Sequence, residues 1–283
     1  MKFVKMHGTG NDFVVIDGRG VDTDWSALAV AMNDRHFGIG GDGLIVALPS
    51  ETADLRMRMF NPDGSEAEMC GNGLRCLAKY AIERGLAIPR DDAIRVETLA
   101  GVLTCRVWRD ERGKVERVRL AMGRPRLDPR EIPVLAEQAP PVIGLPLAVD
   151  GHEFAVTCVS MGNPHAVWFA PRDLDLPAYP LHVVGPLVEH HPLFPRRVNF
   201  EVAVVDTSER IRVRVWERGA GLTLACGTGA CAVAVAARLN GLIGDATDIV
   251  LPGGTLHIEW DGAGEVFLTG PAVEVFTGDW PNA

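Results

Sequence analysis

The chain has 283 residues, of which 47% are hydrophobic. That is enough to bury two cores of middling size, and it excludes an intrinsically disordered chain. Its 28 basic and 37 acidic side chains leave a net charge of -9 with no Lys/Arg stripe to track phosphates, which argues against a nucleic-acid partner. The opening MKFVKMHGTGND has no apolar run, so it lacks a signal-peptide core. The longest greasy stretch, Ala230 to Ala237, is far short of the roughly 18 residues a membrane span needs, so a cytoplasmic protein with no membrane partner is expected.

In chain order, alternation predicts strands at Phe13 to Ile16, 54 to 60, 93 to 99, 101 to 108 and 114 to 122. A helix is predicted from Gly73 to Arg84. A stretch with scattered prolines, Pro125 to Pro146, reads as a connector. Alternation returns at HEFAVTCV, HAVWFA, VNFEVAVV, IRVRVWE, TLHIEW and EVFLTG. A second helix, Gly229 to Leu239, is apolar all round, as a helix wrapped by sheet should be.

The two halves echo each other. EMCGNGLRC at 68 to 76 returns as LACGTGAC at 224 to 231, an offset of 226 − 70 = 156 between the leading cysteines. The same offset lays RMRMFN (56 to 61) on RVRVWE (212 to 217), and GNDFVV (10 to 15) matches GNPHAV (162 to 167) at a nearby offset. The fold expected is α+β: two pseudo-symmetric domains, each a mixed, curled, barrel-like sheet wrapped around a central helix. The expected boundaries are 1–118, joined by a returning strand at 270–283, and 119–269, with the active site in the cleft between them.

Six cysteines without an export signal indicate reduced thiols. Zinc does not suit them. Cys70 and Cys76 are six apart and Cys226 and Cys231 five apart, so on a helix they point about 240° and 140° away from each other. No Cys-x-x-Cys spacing supplies a thioredoxin-type pair either. Gly71 and Gly73, and Gly227 and Gly229, would instead leave N–H groups open at a helix N-terminus, which makes an anion site. The same field would favour the thiolates of Cys70 and Cys226. Two such units on opposite faces of one α-carbon suit proton removal on one face and delivery on the other, that is, racemisation or epimerisation of an amino acid. The chain has only Lys2, Lys5, Lys79 and Lys114, none in the second half, so a pyridoxal Schiff base is not expected and the sulfurs would work without a cofactor.

The residues also carry a resemblance. NPDGSEAEMCGNGLR (61 to 75) resembles the first cysteine signature of the diaminopimelate epimerase family, and WERGAGLTLACGTGACA (216 to 232) is similar to its second. HGTGNDFVVID, RHFGIGGDGLI, MGNPHAV and VNFEV follow the family's blocks in order, so the similarity spans essentially the whole chain. The resemblance implies interconversion of LL- and meso-2,6-diaminopimelate on the way to lysine and peptidoglycan, by a cofactor-free homodimer acting on a small amino-acid substrate. Cys70 and Cys226 would be the acid/base pair, with coupled titrations. Gly71, Asn72, Gly227 and Thr228 would line the reacting carboxylate and amine. Asn11, Asn61, Asn163, Asn199, Glu217 and Arg218 would hold the polar substrate, and His165 and Glu217 would support the thiols. Gly43 stands where some members carry Gln.

The remaining features have plainer readings. Gly38-Ile39-Gly40-Gly41-Asp42-Gly43 satisfies G-x-G-x-x-G, but a strand follows it rather than a helix, so it reads as a turn. His7 reads as structural, His190 and His191 as solvated, and Cys76, Cys105, Cys158 and Cys231 as buried fillers. Arg56, Arg58, Arg212 and Arg214 read as a solvated strand face. The competing functions are a proline-racemase-like amino-acid racemase and a non-catalytic thiol redox or carboxylate-binding protein. Oxidation joining Cys70 to Cys226 in an inactive form is a further expectation.

Overall fold

The computed structural model describes residues 1–281, which hold eighteen strands and four α-helices. The chain forms two compact units, Met1–Leu120 with Thr269–Ala283, and Ala121–Leu268. Each is a mixed, curled sheet with helices against it.

In the first unit, β1 (Lys2–Gly8) and β2 (Asn11–Asp17) form a hairpin. Its two turn residues, Thr9 and Gly10, have φ of 53° and 85°, the left-handed geometry that a two-residue hairpin with twisted strands requires. The helix α1 (Trp25–Asn33), capped at its N-terminus by the Asp24 carboxylate, leads to β3 (Gly43–Leu48), parallel to β2. Next come β4 (Leu55–Phe60), the short β5 (Glu66–Ala67) and α2 (Gly71–Glu83), then β6 (Ala93–Thr98), which lies parallel to β4. Two more antiparallel strands, β7 (Gly101–Arg109) and β8 (Val115–Ala121), extend this side. At the other edge, β18 (Val273–Asp279) pairs with β1. Of the C-terminal strand expected at 270–283, Asn282 and Ala283 lie outside the described residues.

The sequence GLIVAL of β3 is a nearly continuous apolar run because helices cover both of its faces. Leu44 and Val46 pack with Trp25, Ala29 and Met32 of α1. On the opposite face, a Cβ on Gly73 of α2 would come within 2.9 Å of Ile45 Cδ1. Gly73 therefore lets α2 approach the sheet.

The second unit follows the same connection order. After β9 (Leu145–Val149), the hairpin of β10 (His152–Ser160) and β11 (Pro164–Phe169) corresponds to that of β1 and β2. The helix α3 (Leu181–Glu189) leads to β12 (Asn199–Thr207), parallel to β11. Then come β13 (Arg210–Glu217), β14 (Gly221–Leu222), α4 (Gly227–Leu239), β15 (Ala246–Leu251) parallel to β13, β16 (Gly254–Glu259) and β17 (Phe267–Pro271), along which the chain passes back to the first unit after Leu268. Along β12, Phe200, Val202 and Val204 face the α3 side and Ala203 the α4 side. Residues 229–237 of α4 are all buried, so the apolar circumference read from the sequence is matched by its surroundings.

The structure departs from the sequence reading at the proline-bearing stretch. Ile132, Val134 and Val142 are buried in the α3-side core, and Arg126 bridges Ser160, so the segment is part of the second unit's packing rather than a free connector. The helices α2 and α4 each begin two residues earlier than predicted, directly after a cysteine. No helix among the described residues is long and apolar enough to cross a membrane.

Candidate active site

Each unit puts one cysteine at the N-cap of its central helix. Cys70 caps α2 and Cys226 caps α4, both with extended backbone, and both helices run for 13 residues. The extended cap is a consequence of position: the chain leaves a strand-like segment and turns into the helix at that residue, so the side chain projects beside the first free N–H groups.

The two sulfurs have different surroundings. Cys226 is buried, and its Sγ accepts a hydrogen bond from the Gly229 N–H at 3.3 Å and lies 3.4 Å from Thr228 Oγ1. Cys70 is half-buried, makes no side-chain cap bond, and donates from Sγ to Asn11 Oδ1 at 3.7 Å. The same Asn11 oxygen accepts from Asn72 Nδ2 at 3.1 Å, and Asn72 Oδ1 accepts from Arg75 Nη2 at 2.8 Å. Arg75 is fully buried in α2, and its guanidinium also reaches the Pro271 carbonyl and Thr9 Oγ1.

His165 and Glu217, which the resemblance gives as supporting the thiols, are joined in the structure by Glu201. His165 is fully buried on β11, with Nδ1 2.7 Å from Glu201 Oε1 and Nε2 3.0 Å from Asn163 Oδ1. Alternation along β12 turns Glu201 to the same side as Ala203, under the first turn of α4, where a Cβ on Gly229 would lie 2.9 Å from Glu201 Oε1 and 3.2 Å from Cys226 Sγ. Gly229 thus makes room for a carboxylate and a sulfur together. Burial pushes the Glu201 carboxyl up; the charge and hydrogen bond of His165 oppose the rise, and Glu217 adds to it.

Burial likewise pushes the Cys226 thiol up, Glu217 and Glu201 push it further, and the bonds from Thr228 and Gly229 pull the other way. Desolvation and the two carboxylates thus act against the helix end that was expected to favour the Cys226 thiolate. Cys226 is therefore expected to be alkylated by iodoacetamide only at alkaline pH, its rate still rising above pH 9, as labelling followed by peptide mass spectrometry against pH would show. A plateau below pH 8 would contradict this. Burial raises Cys76 and Cys158 to about 12 and Cys105 further still, which fits inert core fillers.

The other residues singled out from sequence are placed as follows. Asn199 is buried; its Nδ2 donates to the Pro164 carbonyl at 2.8 Å and its Oδ1 accepts from the Arg218 N–H at 2.8 Å. Glu217 accepts from Thr223 Oγ1 at 2.5 Å, while the exposed Arg218 guanidinium donates to the Arg196 carbonyl at 3.1 Å. Asn61 bonds within the turn after β4, donating to Ser65 Oγ at 2.9 Å. Gly71, Gly227 and Thr228 form the first turns of α2 and α4. Gly43 opens β3, where a Cβ would meet the Phe60 carbonyl at 3.0 Å and Met59 Cε at 3.1 Å, so a longer side chain there needs the neighbouring strand to give. Of the lysines, Lys5 is held by Asp12 and the Gly40 carbonyl, and Lys79 by Glu83 and the Val115 carbonyl.

Comparison with known proteins adds the following. A family model described as diaminopimelate epimerase matches residues 3–127 and 157–275. The diaminopimelate epimerase of Pelotomaculum thermopropionicum is 53% identical over 286 residues, covering 99% of each chain. That of Moorella thermoacetica is 53% identical over 284 residues, again covering 99% of each. Among solved structures, a PhzF-family phenazine biosynthesis protein from Bacillus anthracis superposes with a TM-score of 0.67 at 18% identity, covering 98% of both chains. A hydroxyproline epimerase from Agrobacterium vitis gives 0.66 at 17% identity, covering 98% of this chain and 91% of its own. At such identities the two structures speak to the fold alone.

Proposed function

The chain belongs to the diaminopimelate epimerase family, and from that premise we propose how it works. It is an isomerase that interconverts LL-2,6-diaminopimelate and the meso form, supplying lysine and peptidoglycan precursors. It acts in the cytoplasm as a homodimer and uses no cofactor. Cys70 and Cys226 serve opposite faces of one α-carbon, one removing the proton and the other returning it. The observation that carries this reading is the repeated placement of a cysteine as N-cap of a mostly buried 13-residue helix in each unit.

The two environments suggest a division of labour. Burial and the neighbouring Glu217 and Glu201 keep Cys226 protonated, which suits it to give a proton in the resting enzyme, leaving Cys70 to take one. The roles exchange in the reverse direction, and the two thiols titrate as a coupled pair. As the α-carbon loses its proton, charge grows on the carboxylate oxygens, and the first-turn N–H groups at Gly71 and Asn72, and at Gly227 and Thr228, are donors of the kind that stabilises it. Asn11, Asn61, Asn163, Asn199, Glu217 and Arg218 hold the remaining polar groups, with Arg218 suited to a carboxylate in two-pronged fashion. His165 and Glu217 support Cys226.

In deuterium oxide, purified protein given LL-diaminopimelate without added pyridoxal phosphate or metal is expected to form the meso isomer with deuterium at one α-carbon. Proline offered in the same assay is expected to be inert. Turnover of proline with no change in diaminopimelate would replace this reading by the racemase one.

A further inference from the structure

The loop Gly38-Ile39-Gly40-Gly41-Asp42-Gly43, which fails as a nucleotide motif, has a different duty. It is pressed against the end of α1: Ile39 and Gly40 N–H donate to the Met32 carbonyl at 2.8 and 3.0 Å, and Gly41 N–H to the Asn33 carbonyl at 3.2 Å. A Cβ on Gly38 would fall 2.2 Å from the Ala31 carbonyl oxygen, and one on Gly41 2.8 Å from Asn33 Oδ1. The close approach delivers Asp42 to the start of β3. There Oδ2 accepts from Asn11 Nδ2 at 2.7 Å and from the Asp12 N–H at 3.1 Å, and Oδ1 accepts from Arg35 Nη2 at 2.7 Å.

A carboxylate only accepts hydrogen bonds, and a guanidinium only donates them. Arg75 therefore turns Asn72 Oδ1 towards itself and Asn72 Nδ2 towards Asn11 Oδ1. From the other end, Asp42 turns Asn11 Nδ2 towards itself and leaves Asn11 Oδ1 facing Asn72 and Cys70 Sγ. Both ends dictate the same direction, so neither amide is free to flip. We propose that Asp42 and Arg75 are positioning residues for Cys70, fixing the Asn11 and Asn72 amides so that an acceptor oxygen, not a donor, meets the sulfur. An oxygen lone pair beside sulfur favours S–H over S⁻. Within the acid/base role proposed above, on which this inference rests, the arrangement makes Cys70 a stronger base once ionised and receives the hydrogen it takes up.

The test compares Asp42→Asn with Asp42→Ala in the full-length enzyme. In the first variant the new side chain still offers an oxygen to Asn11 Nδ2 and the Asp12 N–H, while its own amide group meets Arg35, whose half-exposed side chain has solvent to turn into. Asp42→Asn is expected to keep kcat within a few-fold of wild type. Asp42→Ala removes one of the two holds on the Asn11 amide, leaving only the bond from Asn72 Nδ2 against a flip, and is expected to lower kcat by about 10- to 100-fold, as loss of an outer-shell partner does elsewhere. At fixed pH, Cys70 in Asp42→Ala should also be alkylated several-fold faster relative to Cys226, because Asn11, with no carboxylate to hold its Nδ2, needs to give up only the bond from Asn72 to turn its N–H towards the thiolate. If the alanine variant does not fold, judged by its melting curve, Asp42→Ser releases the constraint in the same way, since a hydroxyl both donates and accepts. The proposal is overturned if the asparagine variant is as impaired as the alanine one, or if Cys70 labelling is unchanged in the alanine or serine variant. The labelling readout does not depend on epimerisation, so wild-type protein inactive on diaminopimelate would overturn the functional reading while the labelling still decided the positioning one.

Discussion

Exchange of either Cys70 or Cys226 for alanine is expected to lower epimerisation of diaminopimelate by about two to four orders of magnitude, the range general acid–base catalysis contributes. The reason is stereochemical as much as energetic. With one thiol left, a proton can be taken from one face and returned only to that face, so the α-hydrogen of one isomer washes out into deuterium oxide without inversion. Each variant should therefore retain slow isotope exchange on one isomer and lose interconversion of both, and the isomer that exchanges should differ between the two variants. The folds of the variants need not be equally stable. Cys226 accepts the Gly229 N–H, whereas Cys70 makes no side-chain cap bond, so Cys226→Ala should melt lower than Cys70→Ala by the equivalent of about 0.5–1 kcal/mol. Epimerisation above roughly a tenth of wild type in either variant would be incompatible with a two-base mechanism.

Glu201 carries the second large effect, this time on stability. It and His165 are both fully buried and 2.7 Å apart, so Glu201→Ala leaves His165 Nδ1 without its oxygen in the core and is expected to cost about 3–5 kcal/mol. Glu201→Gln keeps an oxygen facing the ring and should cost much less. The comparison has a pH signature. The folded carboxyl is raised, so the stability it confers is complete below the unfolded value near 4.3 and is lost as pH climbs through the raised one. The advantage of wild type over Glu201→Gln should therefore shrink between about pH 5 and pH 8, as urea midpoints at the two values would show. An advantage that grows with pH would mean that the carboxyl is lowered by the fold instead.

Why Glu201 escaped the sequence reading is instructive. It stands alone in VNFEVAVV, a run otherwise fit for a strand buried on both faces, and a lone charge there is costly unless paired. The partner, His165, is 36 residues away, and only the parallel register of β11 and β12 brings the two together. Asp42 was hidden in the same way, since the Asn11 amide that it fixes lies on another element. Cys70 and Cys226, by contrast, were legible because helix start, glycine spacing and internal repeat all fall within a few residues. The upward push on the Cys226 thiol was not legible, because the helix field is local whereas desolvation depends on what the whole unit folds around the sulfur.

Among the elements, α1 and α3 were missed for local reasons. Each is only nine residues long, and α3 contains Pro186. The strands with strong alternation, such as β4 and β13, were read almost to the residue, because each has one face on a helix and one beside charged partners. Arg58 meets Glu66 at 2.7 Å on one strand, and Arg212 meets Asp206 at 3.0 Å on the other. The curl of each sheet was implied less by any strand than by the greasy circumference of α4, which no flat sheet could cover.

In the acid/base role proposed above, the bond from Gly229 to the Cys226 sulfur would make one atom both reagent and mechanical fitting. Whenever that sulfur gives up its hydrogen, the cap on α4 changes from a neutral acceptor to an anion at the positive pole of thirteen aligned peptides, and whenever it regains the hydrogen the cap weakens again. Proton exchange at Cys226 would thus alternately tighten and slacken the start of α4.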